Sequence, residues 1–168
     1  ARLIEDRREG LDPRWSIMPL GGADVIPAFV ALLGNHLDVT VVVDARKEGH
    51  QKLTGLAKAG FLAEKRIITI GEITGGKMAD IEDLFAKDDY LALYNAAFSK
   101  KVRAADLTGT DPIVQQIARA EGVARYDHNA PAEVLLRERA KRVAGLSAET
   151  LDAFEALFKR INGTLAQR

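Results

Sequence analysis

The sequence of 168 residues contains no cysteine and only three histidines. Without thiols the chain can form neither disulfides nor thiolate metal sites, and a cysteine nucleophile is excluded. Any metal ion would therefore need oxygen or imidazole ligands. The absence of cysteine also favours a reducing, cytoplasmic location.

Long hydrophobic runs and net charge are also missing. The apolar stretches fall far short of the roughly 18 residues that a membrane helix needs, and we identify no signal peptide. The 24 basic and 24 acidic residues balance. Binding of nucleic acid would therefore have to be local or metal-assisted. The length and the 47% hydrophobic content fit one compact domain.

Strand and helix patterns alternate over the first 71 residues, with turn signals between them. This alternation predicts a parallel sheet with right-handed crossovers and helices on both faces. The predicted strands are 15–20, 39–44 and 66–70, and the predicted helices are 24–33, with Asp24 as N-cap, and 48–59. A charged segment at 2–9, ended by Gly10, looks like the end of a further helix, so we expect a fragment of a larger protein.

The rest of the chain is predicted to be helical, with no second set of strands. Helices are expected at 79–85, 89–98, 111–121, 131–143 and 148–165, with Phe154, Leu157, Phe158 and Ile161 on an apolar face of the last. The fold class is therefore α/β. We expect an α/β core at 1–100 and a helical C-terminal extension at 101–168 that packs on the core.

Asp44 ends the most strand-like run of the chain. Five of the six residues from Val39 to Asp44 are β-branched, which is typical of a buried strand in a parallel sheet. Ligands of open α/β sheets collect at the carboxyl ends of the strands, where Asp44 would lie. The alternative is that Asp44 only caps the following helix.

A second acidic group, Asp80, Glu82 and Asp83, follows the third predicted strand. In a helix Asp80 and Asp83 would share a face, whereas in an extended segment Asp80 and Glu82 would. Acids also favour the first turn of a helix, which is the simpler explanation. If these side chains converge with Asp44, a hard divalent ion would relieve their repulsion, and oxygen ligands favour Mg²⁺ or Mn²⁺.

Lys77 and His128 are candidates to assist such a site. Lys77 could supply positive charge to a transition state, or be a solvated loop lysine. His128 could donate a proton or contact a phosphate; alternatively, Asp127 caps the next helix and His128 is an ordinary surface residue.

Backbone groups and basic side chains offer further candidate contacts. Gly21 and Gly22 could let backbone N–H groups approach a phosphate or ion, or could simply form a turn. The basic run 137–142 could meet DNA phosphates or be a solvated helix face.

The motifs Leu20-Gly21-Gly22, Asp80-Ile-Glu-Asp83 and Tyr126-Asp-His128, with the strand that leads to Asp44, resemble the Toprim domain of OLD-family (overcoming lysogenization defect) nucleases. The resemblance covers most of residues 11–130. It implies a domain with a Toprim-like Rossmannoid sheet that hydrolyses DNA with two Mg²⁺ or Mn²⁺ ions. It also implies that this domain is joined to an N-terminal AAA-type ATPase and that the whole protein acts in phage defence. It also implies that Asp44 is the first acid of the Asp-x-Asp motif and that Asp80 and Glu82 are the added acidic pair.

Two features depart from this family pattern. Arg46 stands where the motif has its second acid, and the upstream strand with the Toprim glutamate is not in this sequence. One alternative is therefore an inactive Toprim-like module for dimerisation or for regulation of an ATPase. A receiver-like domain that accepts phosphate on Asp44 fits less well, because its acidic pair should follow the first strand.

Overall fold

The computed structural model describes residues 7–21, 24–34, 36–48 and 50–165. Its strands are β1 (Val41–Val43) and β2 (Ile67–Thr69). Its α-helices are α1 (Ile26–Leu33), α2 (Gln51–Lys58), α3 (Ile70–Thr74), α4 (Lys87–Phe98), α5 (Ile113–Ala120), α6 (Asn129–Arg137), α7 (Arg139–Ala144) and α8 (Ala148–Asn162). Short 3-10 helices lie at Glu64–Arg66, Ile81–Leu84 and Ala104–Asp106.

The two strands form a parallel pair in which Val41 lies opposite Ile67 and Val43 opposite Thr69. The chain crosses from β1 to β2 through α2, as a parallel connection requires. The mixed α/β class and the parallel strand pair are thus confirmed. Both strands are shorter than predicted, and no others are present among the described residues.

The strand predicted at 15–20 is wrong. This segment is irregular and pairs with no strand in the described part of the chain. Ile17 is 79% exposed and Met18 is 61% exposed, so two of the apolar residues that favoured a strand face solvent.

Helices cover both faces of the sheet, as predicted. On one face Val41 and Val43 pack with Val30 of α1 and Leu53 of α2. On the other face Ile68 packs in a cluster that includes Leu84 of the 3-10 helix and the apolar side of α8, made of Phe154, Leu157 and Ile161. Val42 packs against this second cluster, so the odd and even positions of β1 face different cores, as the two-residue period of a strand requires.

Several predicted helix boundaries need correction. The helix predicted at 131–143 is broken at Glu138 into α6 and α7. The helix predicted at 79–85 is only a 3-10 turn, Ile81–Leu84. Asp24 is not an N-cap, because Val25 holds that position and the Asp24 carboxylate instead pairs with Lys52 at 2.5 Å.

Most of the predicted N-terminal helix, namely residues 2–6, lies outside the described residues. Arg7 lies in a turn with φ 58°, and the two residues that follow are irregular.

A hydrogen-bonded junction ties α4 to the start of α8. Asp89 Oδ2 accepts from Ser147 N at 2.9 Å, from Ser147 Oγ at 2.7 Å and from Thr150 Oγ1. Thr150 in turn accepts from the backbone N–H of Ala86 at 2.8 Å. The segment that carries Asp80 and Glu82 is therefore held between the sheet and the last helix. None of the described helices combines the length and the apolar character needed to span a bilayer.

Candidate functional site

A backbone bridge joins the end of β1 to the segment before the 3-10 helix. Ala45 donates to the Ala79 carbonyl at 2.7 Å, and Ala79 donates back to the Ala45 carbonyl at 3.2 Å. Both alanines are buried. The bridge therefore places the neighbours of Ala45, which are Asp44 and Arg46, beside Asp80.

Arg46 contacts both acids. Its Nη2 lies 3.0 Å from Asp44 Oδ2, and its Nη1 lies 2.9 Å from Asp80 Oδ1. The side chain of Asp80 is 15% exposed and that of Asp44 is 39% exposed. Arg46 thus brings a positive charge between two carboxylates.

The charges around Asp44 change its proton affinity. Burial raises the pKa of the Asp44 carboxyl, and the negative charges of Asp80 and Glu82 raise it further, while Arg46 opposes them. The three carboxylates Asp44, Asp80 and Glu82, named here the acidic cluster, are thus close enough to influence one another.

Asp44 does not cap α2. That helix begins at Gln51, with His50 in the N-cap position. The His50 Nε2 instead lies 2.7 Å from the backbone oxygen of Asp44. This contact fixes the chain just beyond β1 and adds a histidine that the sequence did not connect with the site.

Glu82 pairs with His128. His128 Nδ1 donates to Glu82 Oε1 at 2.8 Å, with 12% of the Glu82 side chain and 57% of the imidazole exposed. Asp127 also accepts from the Asn129 N–H at 3.0 Å. Asp127 therefore binds the first N–H of α6, although His128 holds the N-cap position. His128 is not an isolated surface residue, because it contacts Glu82, and its role as proton donor or phosphate contact stays a prediction.

A pair of tyrosines lies beside these acids. The hydroxyls of Tyr90 and Tyr126 are 3.2 Å apart. Burial raises the pKa of the Tyr126 hydroxyl, and the negative charges of Glu82 and Asp80 raise it too. Burial raises the pKa of the Tyr90 hydroxyl as well, so both phenols are neutral hydrogen-bonding groups at neutral pH.

Both carboxylate oxygens of Asp83 accept hydrogen bonds from backbone N–H groups. Its Oδ2 accepts from Asp80 N and its Oδ1 accepts from Ile113 N, each at 2.7 Å. Burial raises the pKa of this carboxyl, against the effect of these hydrogen bonds. Asp83 therefore orients Asp80 and holds α5 in place, with neither oxygen left without a hydrogen bond.

The remaining sequence candidates lie outside the acidic cluster. Lys77 is exposed and lines a cavity next to Arg46 and His50. Gly21 has a left-handed φ of 70°, typical of a turn, and no described hydrogen bond joins it to the acids. Gly22 lies outside the described residues.

The oxygen donors of the acidic cluster are of the kind that Mg²⁺ and Mn²⁺ prefer. Among residues 7–21, 24–34, 36–48 and 50–165, however, no three acidic or histidine side chains are arranged to hold a metal ion. Arg46 lies between Asp44 and Asp80, and His128 engages Glu82. The ligand types fit a divalent ion, but this arrangement of the side chains places an arginine where the cation would bind.

The positive charge of the basic run 137–142 is partly neutralised by Glu138, which lies within the run. Glu138 pairs with Arg142 at 2.9 Å and with Arg137 at 3.5 Å. These contacts favour the solvated helix face over a DNA-binding surface, because two of its cations already have a partner.

No protein-family model, curated protein or solved structure matches the chain. The resemblance to OLD-family Toprim domains therefore still depends on the motifs around Asp44, Asp80 and Tyr126, and it remains a prediction. The geometry adds Arg46 and His50 to the residues that the motifs contain. Arg46 could have been anticipated, since residues two apart in an extended segment point to the same side, whereas nothing in the sequence connects His50 with Asp44.

Proposed function

We propose that this chain is the metal-dependent, DNA-cleaving domain of a cytoplasmic OLD-like ATPase-nuclease, with a Toprim-like sheet. The observation that supports this most is the pairing of Ala45 with Ala79. It gathers carboxylates from two distant segments near the carboxyl end of a parallel strand pair, where α/β proteins bind ligands. DNA and an N-terminal ATPase domain are the proposed partners.

In this proposal different residues of the chain would bind the metal, transfer a proton and contact the phosphate. Asp44, Asp80 and Glu82 would hold Mg²⁺ or Mn²⁺ once the Arg46 guanidinium moves away from Asp44 and Asp80, and the ion would supply a water of lowered pKa and a Lewis acid. Because Glu82 accepts from Nδ1 of His128, the imidazole in its protonated form would carry its second proton on Nε2 and could deliver that proton to the leaving oxygen. Lys77 would offer positive charge to a phosphate.

A second candidate function is favoured by one observation. Arg46 neutralises Asp44 and Asp80 without any metal. In this alternative the acidic cluster is a structural ion-pair network. The chain would then be an assembly module that binds an ATPase domain or a second copy of itself, and it would not cleave DNA.

A double variant, Asp80→Ala with Glu82→Ala, distinguishes the two functions. Mn²⁺ binding is measured by calorimetry, and DNA cleavage is measured in the same buffer. The nuclease proposal expects both to be lost in this variant. Asp88→Ala with Glu133→Ala removes two exposed acids elsewhere and should change neither. If the wild-type protein binds Mn²⁺ through these acids but cuts no DNA, the assembly module is the better account.

A further inference from the structure

A cavity of about 460 Å³ opens next to the acidic cluster. Arg46 and His50 line it on the β1 side, Thr69 lines it at the end of β2, and Lys77 lines it from the loop after α3. The cavity thus lies where two parallel strands end, which is the usual ligand position in an α/β sheet. Its size falls within the range of small-ligand sites.

One basic side chain of this cavity, Lys77, can contact an anion. Arg46, His50 and Lys77 are its basic side chains, and Glu72 is the acid in its lining. Glu72 is already engaged, since its Oε1 accepts from Thr69 N at 2.9 Å and its Oε2 accepts from Arg160 Nε at 3.2 Å. Arg160 thus compensates Glu72, while the charge of Arg46 is shared with Asp44 and Asp80 and His50 contacts the Asp44 carbonyl. The positive charge that the lining offers to an anion is therefore that of Lys77.

Close backbone packing holds the loop that carries Lys77. A Cβ atom added to Gly71 would lie 2.4 Å from the Gly76 carbonyl oxygen and 2.8 Å from the Ala45 Cβ. Gly75 has a φ of 75°, in the left-handed region that favours glycine. The loop therefore packs directly on the end of β1, and Lys77 occupies a defined wall of the cavity.

Within the described residues, Lys77 forms no ion pair with Asp80 or Glu82, the acids of the cluster that follow it in sequence. The ion pairs of the acidic cluster are with Arg46 and His128. The guanidinium of Arg46 belongs both to those pairs and to the cavity lining. An anion in the cavity would therefore lie one side chain away from Asp44 and Asp80.

We infer that this cavity binds a phosphate group of a DNA strand, next to the phosphodiester that the acidic cluster would cut. The choice of DNA as the carrier rests on the proposed function. The phosphate site itself rests on the charge and packing of the cavity. A free nucleotide carries the same phosphate chemistry, and the experiment must separate the two sources.

The first test measures binding without cleavage. A fluorescent single strand of about 12 nucleotides is titrated with the whole chain in EDTA, and the anisotropy is followed at several salt concentrations. Lys77→Gln should weaken binding about three- to tenfold and lower the slope of log K against log salt by about 0.7. Lys58→Gln, in a neighbouring cavity behind α2, is the matched control and should change neither quantity. Equal affinities for wild type and Lys77→Gln, or an equal loss with Lys58→Gln, would overturn the inference.

The second test locates the site and its ligand. Amide shifts on addition of thymidine monophosphate should centre on Thr69, Gly76 and Lys77, and shifts confined to other regions would contradict the inference. The oligonucleotide should bind at least tenfold more tightly than the mononucleotide. Equal affinities would overturn the assignment to DNA in favour of a free nucleotide.

The outcomes also separate this inference from the proposed function. If Lys77→Gln weakens binding as expected while no metal condition yields cleavage, the phosphate site stands and the nuclease proposal fails. If cleavage occurs while Lys77→Gln binds DNA like the wild type, only the inference fails.

Discussion

Arg46 donates to Asp80 at 2.9 Å across 34 residues of chain. The same guanidinium holds Asp44, so one cation links the ends of two segments that the sequence keeps far apart. In a site proposed to bind divalent metal, this arginine competes for the carboxylates, and its removal is a sensitive test of their role.

Arg46→Gln should strengthen Mn²⁺ binding. Arg46 makes two partly exposed ion pairs, and at about 0.2–1 kcal/mol each their loss corresponds to a gain of about two- to thirtyfold in metal affinity. Calorimetry with Mn²⁺ measures it. Arg14→Gln breaks a comparable pair with Asp12 and is the control. An unchanged dissociation constant for Arg46→Gln, or an equal gain for Arg14→Gln, would show that Arg46 does not compete with metal.

Asp44→Asn should be at least as stable as the wild type at pH 7. Because the pKa of Asp44 is raised in the folded protein, its contribution to stability is fully present below the unfolded pKa of about 3.9 and is lost as pH rises through the folded pKa. The side chain is 39% exposed, so screening keeps the gain of the variant below about 1 kcal/mol. Urea unfolding at low and neutral pH measures the difference, which should vanish at low pH. A variant that loses stability relative to wild type as pH rises would contradict the sign.

Asp83→Ala should destabilise the fold by about 2–6 kcal/mol. Two backbone N–H groups, of Asp80 and Ile113, would lose their acceptor, and each unsatisfied donor costs about 1–3 kcal/mol. The midpoint of denaturant unfolding measures this, with Asp88→Ala as an exposed control. If Asp83→Ala unfolds within about 0.5 kcal/mol of the wild type, water or another group must satisfy those donors.

The sequence predicted β1 and β2 because β-branched runs leave few alternatives to a buried strand. It failed at Trp15 to Leu20 because a short apolar run does not reveal whether a partner strand is present. Ile17 and Met18 satisfy a strand pattern locally yet face solvent. The break at Glu138 between α6 and α7 also lacks a proline or glycine signal.

For the site, the sequence predicted that Asp44 and Asp80 would share one rim of the sheet. It could not predict their link through Arg46, because that depends on the bridge from Ala45 to Ala79. The contact of Glu82 with His128 spans 46 residues and follows from the packing of α6 against α4. Such pairings depend on tertiary structure, which local periodicity does not encode.

The most direct test of the metal-nuclease proposal is nicking of supercoiled plasmid with Mn²⁺ or Mg²⁺. The comparison uses this chain and a longer polypeptide that adds the upstream strand implied by the family resemblance, each with and without Asp44→Ala. Asp38→Ala changes an exposed acid just before the same strand and is the control. The proposal predicts nicking by the longer polypeptide that Asp44→Ala abolishes and Asp38→Ala preserves. A longer polypeptide that binds metal but cuts neither DNA nor RNA would contradict the proposal and favour the assembly module.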